Sequence, residues 1–97
     1  MKKLILTLIL LINFSVCNAE IISHEEHNNY SFITEKYTVL KNDTLFSITQ
    51  KFMNKNTYGK REFNEFREGI IENNPQLDGR DVLTDEVLII TYWVKNE

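Results

Sequence analysis

The sequence predicts a small α+β domain in the C-terminal part of the chain, and three observations indicate it. A strand-like run at 36–40 stops at a polar turn. Two segments at about 44–53 and 61–73 then carry apolar residues at helical spacing. A fully apolar, β-branched run at 87–90 closes the unit. We therefore expect a two-stranded antiparallel sheet with two helices packed on one face.

The first strand and its turn are predicted from alternation. Residues 36–40 place Tyr37 and Val39 on one face of a strand. The turn at 41–43 contains Asn42, and asparagine enters the left-handed region more readily than other residues except glycine. We expect Asn42 to adopt that conformation.

The first helix is predicted to begin at the end of this turn. Asp43 or Thr44 can serve as its N-cap, because a short polar side chain accepts hydrogen bonds from free backbone N–H groups. One buried stripe follows at the i, i+3 and i+7 positions, Leu45, Ile48 and Phe52. Phe46 lies off this stripe, so we expect its side chain to be exposed.

The second helix and the last strand complete the predicted domain, which spans 36–92. Phe63, Phe66 and Ile70 form one stripe of the helix, and Pro75 follows its end because the residue before proline avoids helical conformation. The last strand is expected to run from 87 to 91. Two strands alone are marginally stable in water, so the helices must supply most of the core.

The first nineteen residues have the pattern of a secretory signal peptide. Lys2 and Lys3 precede an apolar stretch that is shorter than the roughly 20 residues of a spanning helix. Small residues at Cys17 and Ala19 predict cleavage after Ala19, with no stable membrane anchor afterwards. A retained anchor and lipidation of Cys17 are the alternatives. We expect a periplasmic or secreted protein.

Two flanking segments are predicted to lie outside the domain. Residues 20–35 are expected to form a poorly structured leader, and residues 93–97 a C-terminal tail. Without the signal peptide the chain has 9 basic and 14 acidic residues, a net charge of −5. This acidic balance argues against nucleic acid as a partner, because phosphate binding requires lysine and arginine.

The residues give little support to an enzyme or to a metal or cofactor site. His24 and His27 are three apart, whereas the His-Glu-x-x-His zinc helix needs a spacing of four. Ser47 has no histidine within the predicted domain. Acidic pairs such as Asp78 and Asp81 occur in a loop with no apolar setting that would raise one pKa. We therefore predict a non-catalytic protein without a cofactor.

Two motifs carry a family resemblance. The run at 43–48, Asp-Thr-Leu-Phe-Ser-Ile, and the pair Asn74-Pro75 resemble the signatures of the LysM domain, across about 70% of the chain after Ala19. Asn42 stands where this family usually has glycine. Thr84-Asp85 replaces its usual Pro-Gly, and the connector between the helices is longer than in a minimal LysM domain.

The resemblance implies a βααβ fold that binds N-acetylglucosamine-containing glycans, most directly the glycan strands of peptidoglycan. In this family the sugar lies between the loop before the first helix and the loop after the second. Carried over by position, the glycan-binding residues would be Asn42, Asp43, Thr44 and Phe46 on one wall, and Asn74, Pro75, Gln76 and Leu77 on the other.

An alternative interpretation is a periplasmic protein–protein interaction module on a LysM-like scaffold. Such a module would dock onto an envelope or phage assembly, or modulate a wall-active enzyme. The aromatic pair Tyr92-Trp93 motivates it, because these residues could extend the last strand as an exposed edge that pairs with another protein.

Overall fold

The computed structural model describes residues 18–97, so the predictions made for residues 1–17 lie outside the described part. The described chain forms three strands, two α-helices and one short 3₁₀ turn. In chain order these are β1 (Ala19–Glu26), β2 (Tyr30–Thr38), α1 (Leu45–Lys55), α2 (Phe63–Asn73), the 3₁₀ turn (Pro75–Leu77) and β3 (Val87–Lys95). Within residues 18–97, no helix combines the length and apolar character that crossing a membrane requires.

The strands form one antiparallel sheet in the order β1-β2-β3. The predicted α+β class is confirmed, but the predicted two-stranded sheet is wrong because the sheet has three strands. The additional strand, β1, comes from the segment that we expected to be a poorly structured leader. Its pairing with β2 extends from Ala19 opposite Tyr37 to Glu26 opposite Ser31.

Strand β1 is held mainly by its backbone. Most of its side chains are exposed, and its register shifts between Ile21 and Ser23. Backbone pairing of this kind requires no particular side chains, which explains why the sequence did not indicate the strand. The contacts start at the predicted cleavage site, where the Thr38 N–H donates to the Asn18 carbonyl over 2.9 Å.

Strand β2 begins at Tyr30, earlier than the predicted start at 36. The prediction began too late because two buried positions of this strand carry polar residues. Burial alternates along the strand, and Ser31 and Glu35 occupy buried positions. The Ser31 hydroxyl donates to Asn96 Oδ1 over 2.7 Å. The Glu35 carboxylate accepts from Lys55 Nζ, with distances of 3.1 and 3.2 Å to its two oxygens. These partners offset the cost of burying polar groups.

Strand β3 runs to Lys95, so it includes much of the predicted tail. Its outer edge is occupied by the connector between the helices. The Trp93 N–H donates to Asn56 Oδ1 over 2.9 Å, and the Trp93 carbonyl accepts from the N–H groups of residues 57 and 58. The interpretation of Tyr92-Trp93 as an edge available for pairing is therefore wrong at Trp93.

The turn before α1 and the helix start follow from local hydrogen bonds. Asn42 has a φ of 76°, which confirms the predicted left-handed conformation. Thr44 is the N-cap, and its side chain and that of Ser47 satisfy each other's backbone N–H groups as a capping box. Asp43 instead closes the turn, accepting from the Tyr37 hydroxyl over 2.6 Å and from the Leu40 N–H over 2.9 Å.

One hydrophobic core lies between the sheet and the two helices. The predicted stripe of α1 is buried as expected, and α2 adds Phe66 and Ile70. The core residues come from one face of β2 and β3, from the residue that follows β2, from both helices and from the 3₁₀ turn: Ile33, Tyr37, Val39, Leu45, Ile48, Phe52, Phe66, Ile70, Leu77, Leu88, Ile90 and Tyr92. The start of α1 and the loop after α2 are thereby fixed side by side.

Candidate functional site

An open groove lies between the start of α1, one side of α2 and the loop that follows the 3₁₀ turn. Its volume is about 490 Å³. Apolar, aromatic and charged side chains line it together: Leu45, Phe46, Phe63, Arg67, Glu68, Ile71, Leu77, Asp78, Gly79, Arg80 and Asp81. The groove therefore offers both apolar surface and hydrogen-bonding groups to a ligand.

An aromatic pair forms one wall of the groove. Phe46 projects from the first turn of α1 and is 59% exposed, which confirms the predicted exposure. Its ring centroid is 4.9 Å from that of Phe63 on α2, with the ring planes at 41°. Because Phe63 supports it, Phe46 presents apolar surface in one orientation rather than as a free side chain.

The floor of the groove is apolar. Leu77 is only 1% exposed, so it lies beneath the groove rather than on its rim. Leu45 and Ile71 complete this floor from α1 and α2. Because Leu77 is buried, it shapes the site and can offer a ligand only a small area of direct contact.

Asp81 joins the two sides of the groove. Its Oδ1 accepts from the Leu45 N–H over 2.6 Å and from the Val82 N–H over 2.7 Å. The Leu45 N–H belongs to the first turn of α1, where backbone donors have no partner within the helix. A carboxylate at this position also suits the positive end of the helix. Asp81 therefore fixes the distance between the loop and α1.

We expect Asp81→Ala to destabilise the protein by about 1–2 kcal/mol, because a helix donor loses a charged acceptor. Asp81→Asn keeps an acceptor oxygen and should cost less. Urea unfolding of the two variants measures both values. Equal stability of Asp81→Ala and the wild type would show that this hydrogen bond does not hold the loop.

The guanidinium of Arg80 is hydrogen-bonded to other groups of the protein. It donates to Glu86 Oε2 over 2.6 Å and to the Asp81 carbonyl over 2.8 Å. The hydrogen bond from Arg80, together with the Leu83 N–H, lowers the pKa of the Glu86 carboxyl, and Glu86 in turn raises the pKa of Arg80. This ion pair links the two ends of the segment 80–86.

The guanidinium of Arg67 forms no such hydrogen bonds within residues 18–97. Its Nε is covered by protein and is the one buried side-chain nitrogen or oxygen within residues 18–97 that has no hydrogen-bond partner. The terminal nitrogen Nη2 lies 3.7 Å from Glu68 Oε1, and the side chain is 43% exposed. An ion pair this long and this exposed contributes little to the stability of the fold. The guanidinium thus keeps donors available beside the groove.

Of the eight residues predicted to bind glycan, Phe46 and Leu77 line the groove. Asn42, Asp43 and Thr44 form the turn and cap described above and are not among the lining residues. Pro75 begins the 3₁₀ turn, and Gln76 lies near the Glu86 carboxylate, whose pKa it helps to lower.

Asn74, another of the eight, is a structural residue. It is 3% exposed, and its Nδ2 donates to the carbonyls of Ile70 and Ile89, each over 2.8 Å. Its Oδ1 accepts from the Ile89 N–H over 2.9 Å. The side chain therefore joins the end of α2 to the outer edge of β3, and none of its polar atoms is left for a ligand.

The sequence did not single out Phe63, Arg67 or Asp81 as site residues. Phe63 was assigned to the core stripe of α2, and Asp81 to a solvated loop. The spacing of four between Phe63, Arg67 and Ile71 places all three on one side of α2, and this was the available signal. Which side of α2 faces the start of α1 depends on tertiary packing.

Comparisons of the chain with protein-family models, with curated proteins and with solved structures gave no match. The resemblance to the LysM domain therefore stays a prediction. Within residues 18–97, no group of three or more His, Cys, Asp or Glu side chains is arranged to hold a metal ion.

Proposed function

We propose that this protein binds N-acetylglucosamine-containing glycan, specifically the glycan strands of peptidoglycan, and that it does so in the groove without catalysing a reaction. One observation carries the proposal. An exposed aromatic side chain, Phe46, stands over an apolar floor beside the loop after the second helix, which is one of the two loops that bind sugar in the LysM family. The proposed setting is the periplasm or the cell exterior.

The chemistry of the groove suits an N-acetylated sugar. The acetamido methyl needs apolar surface, which Phe46 and Phe63 provide. The sugar hydroxyls and the amide need hydrogen-bonding groups, and charged side chains and loop backbone lie beside the aromatic pair. A few placed polar groups within apolar surroundings are typical of small-ligand sites.

Two turns add support for the LysM-like interpretation. Asn42 has a φ of 76° and Asp85 a φ of 70°. In the family, glycine usually stands at both positions, and glycine favours such left-handed conformations. This chain thus keeps the expected backbone at both turns with non-glycine residues.

A pulldown on purified peptidoglycan sacculi tests the proposal. We expect Phe46→Ala to bind about tenfold more weakly than the wild type, which corresponds to about 1.4 kcal/mol. Its stability should fall by only about 1 kcal/mol, the value of a lost aromatic pair. Thermal melting by circular dichroism separates the two effects.

Leu83→Ala is the matched control, because Leu83 is also an exposed large apolar residue but does not line the groove. It should be retained on sacculi as the wild type is. If Phe46→Ala and Leu83→Ala bind equally well, glycan does not occupy this groove. If the folded wild type is retained no better than serum albumin at low salt, the glycan proposal fails.

A second candidate function is docking to an envelope or phage protein, and strand β1 favours it. β1 is an edge strand whose Ile21 and Ile22 are 55% and 51% exposed. Edge strands with exposed apolar residues pair readily with strands of other proteins. Periplasmic cross-linking followed by mass spectrometry distinguishes the candidates, since recovery of wall fragments without a stoichiometric protein counts against docking.

A further inference from the structure

The outer edge of β3 carries a regular row of backbone groups, because alternate residues of an antiparallel strand direct their N–H and C=O groups to the same side. The Ile89 N–H donates to Asn74 Oδ1 over 2.9 Å, so it faces away from β2. The Trp93 N–H likewise donates to Asn56 Oδ1 over 2.9 Å. Thr91 lies midway between these two residues of β3 and therefore directs its N–H and carbonyl to this edge as well.

The backbone of Thr91 is open at this edge. Within residues 18–97, neither its N–H nor its carbonyl is hydrogen-bonded to another group, and only its side-chain oxygen has a partner, Asn73 Nδ2, over 3.2 Å. Asn74 covers the edge on one side of Thr91, and the connector between the helices covers it on the other. A long extended chain therefore cannot pair along β3, and only a group about one residue long can reach Thr91.

A small pocket between α2 and β3 opens onto Thr91. Thr91 and Trp93 line it from β3, and Gly69 and Glu72 line it from α2. Its volume is about 180 Å³. A water molecule takes about 30 Å³ of the liquid, so the pocket has space for roughly six. This space suits a carboxamide with a few carbon atoms and is smaller than an N-acetylated pyranose.

Gly69 keeps this pocket open. It lies in the interior of α2, where glycine is less favourable to the helix than alanine. A Cβ at this position would meet no atom within 4 Å, so no packing contact requires a glycine here. The lack of a side chain instead leaves space in the pocket beside Thr91.

The carboxamide of Asn74 indicates which chemical group fits such an edge. Its Nδ2 donates to the Ile89 carbonyl over 2.8 Å, and its Oδ1 accepts from the Ile89 N–H over 2.9 Å. Thr91 presents the same donor and acceptor. Arg61 and Glu72 line the pocket with opposite charges, a balance that favours a neutral ligand over an ion. A carboxylate would also lack the N–H that the Thr91 carbonyl needs.

We propose that this pocket binds a primary carboxamide, which accepts from the Thr91 N–H and donates to the Thr91 carbonyl. The carboxamide belongs either to a small free amide or to an asparagine or glutamine side chain of a peptide. The pocket shares no lining residue with the groove described above. The inference therefore does not depend on glycan binding.

Titration of the isotopically labelled protein, followed through backbone amide chemical shifts, tests the inference. Propionamide should cause saturable shifts at Thr91 and Gly69 in the millimolar range, as expected for a ligand of few atoms. Propionate, which has the same size but no N–H, should bind about tenfold more weakly. The tripeptides Ala-Gln-Ala and Ala-Glu-Ala form a second matched pair. Binding of propionamide assigns a small amide, and binding of Ala-Gln-Ala alone assigns a peptide side chain.

Gly69→Leu should abolish binding of the amide while α2 stays folded, because leucine favours helix and would occupy the pocket. Gly69→Ala, the milder change, should bind the amide more weakly and melt above the wild type. Asn64→Leu is the matched control, since Asn64 is exposed on α2 and does not line the pocket. It should bind as the wild type does.

Three results overturn this inference. The first is wild-type affinity for the amide in the folded Gly69 variants. The second is equal binding of the amide and the acid in both matched pairs. The third is the absence of saturable shifts at Thr91 with both propionamide and Ala-Gln-Ala. None of them bears on retention by sacculi, so failure of this site and failure of glycan binding are distinguishable.

Discussion

Ile48→Ala should destabilise the protein by about 2–5 kcal/mol, the range for deleting a large buried aliphatic side chain. Ile48 is 1% exposed and lies on the buried stripe of α1, where its removal leaves a cavity between the helices and the sheet. A small domain has only about 5 kcal/mol or somewhat more of total stability. The variant should therefore melt roughly 10 °C or more below the wild type.

Ile22→Ala provides a control with the same chemical change. Ile22 is in β1 and about half exposed, so its truncation should cost less than about 1 kcal/mol. Thermal melting and urea unfolding of the two variants give the comparison. Equal losses of stability for Ile48→Ala and Ile22→Ala would contradict the placement of the core.

Alkaline pH should destabilise the protein through two buried tyrosines. Burial, with the Asp43 carboxylate as acceptor, raises the pKa of Tyr37 from 10.0 to about 12. Burial, with the Glu35 carboxylate nearby, raises the pKa of Tyr92 to about 12 as well. Both side chains are almost inaccessible to solvent.

The direction of the effect follows from which state ionises first. The unfolded chain loses these phenolic protons near pH 10, whereas the folded protein keeps them until about pH 12. The stabilisation is therefore fully present below pH 10 and is lost as the pH rises towards 12. Each tyrosine should cost about 1.4 kcal/mol at pH 11 and about 2.3 kcal/mol at pH 12.

Urea unfolding at pH 8, 10 and 11, with tyrosinate absorbance followed in parallel, measures this loss. Tyr37→Phe serves as the comparison, because it removes one ionising group while keeping the ring that packs against Phe52. Its loss of stability between pH 8 and 11 should be about half that of the wild type. The explanation is wrong if the two proteins lose stability equally over this interval.

Local patterns in the sequence were sufficient for the helices but not for the whole sheet. The start of α1 depends on Thr44 and Ser47, which are near in sequence, so the helix could be predicted from the chain alone. The predicted first strand began only at 36, because Glu35 interrupts the apolar alternation of β2. The charge of Glu35 is tolerated in the interior because Lys55, twenty residues away, pairs with it.

Strand β1 shows a second limit of sequence patterns. A half-buried strand is recognised by its alternation of apolar and polar residues. An edge strand whose side chains are mostly exposed lacks this alternation. Its partner interactions are backbone hydrogen bonds, which almost any residue can make. The register shift next to Ile22 further removes any regular period.

The candidate site was predictable on one wall only. Phe46 could be placed there because it lies off the buried stripe of its own helix. Asn74 could not be separated from the site residues, since its three hydrogen bonds depend on the position of β3. The wall formed by Phe63 and Arg67, and the contact of Asp81 with α1, arise only when the two helices pack together.

The most direct test of the central claim is a titration of the isotopically labelled protein with N-acetylglucosamine oligosaccharides, followed through backbone amide chemical shifts. Saturable shifts should appear at the groove, at Phe46, Phe63, Arg67 and 77–81, and should be absent from β1 at Ala19–Glu26. The absence of shifts at millimolar sugar, or shifts concentrated on β1, would contradict glycan binding in this groove.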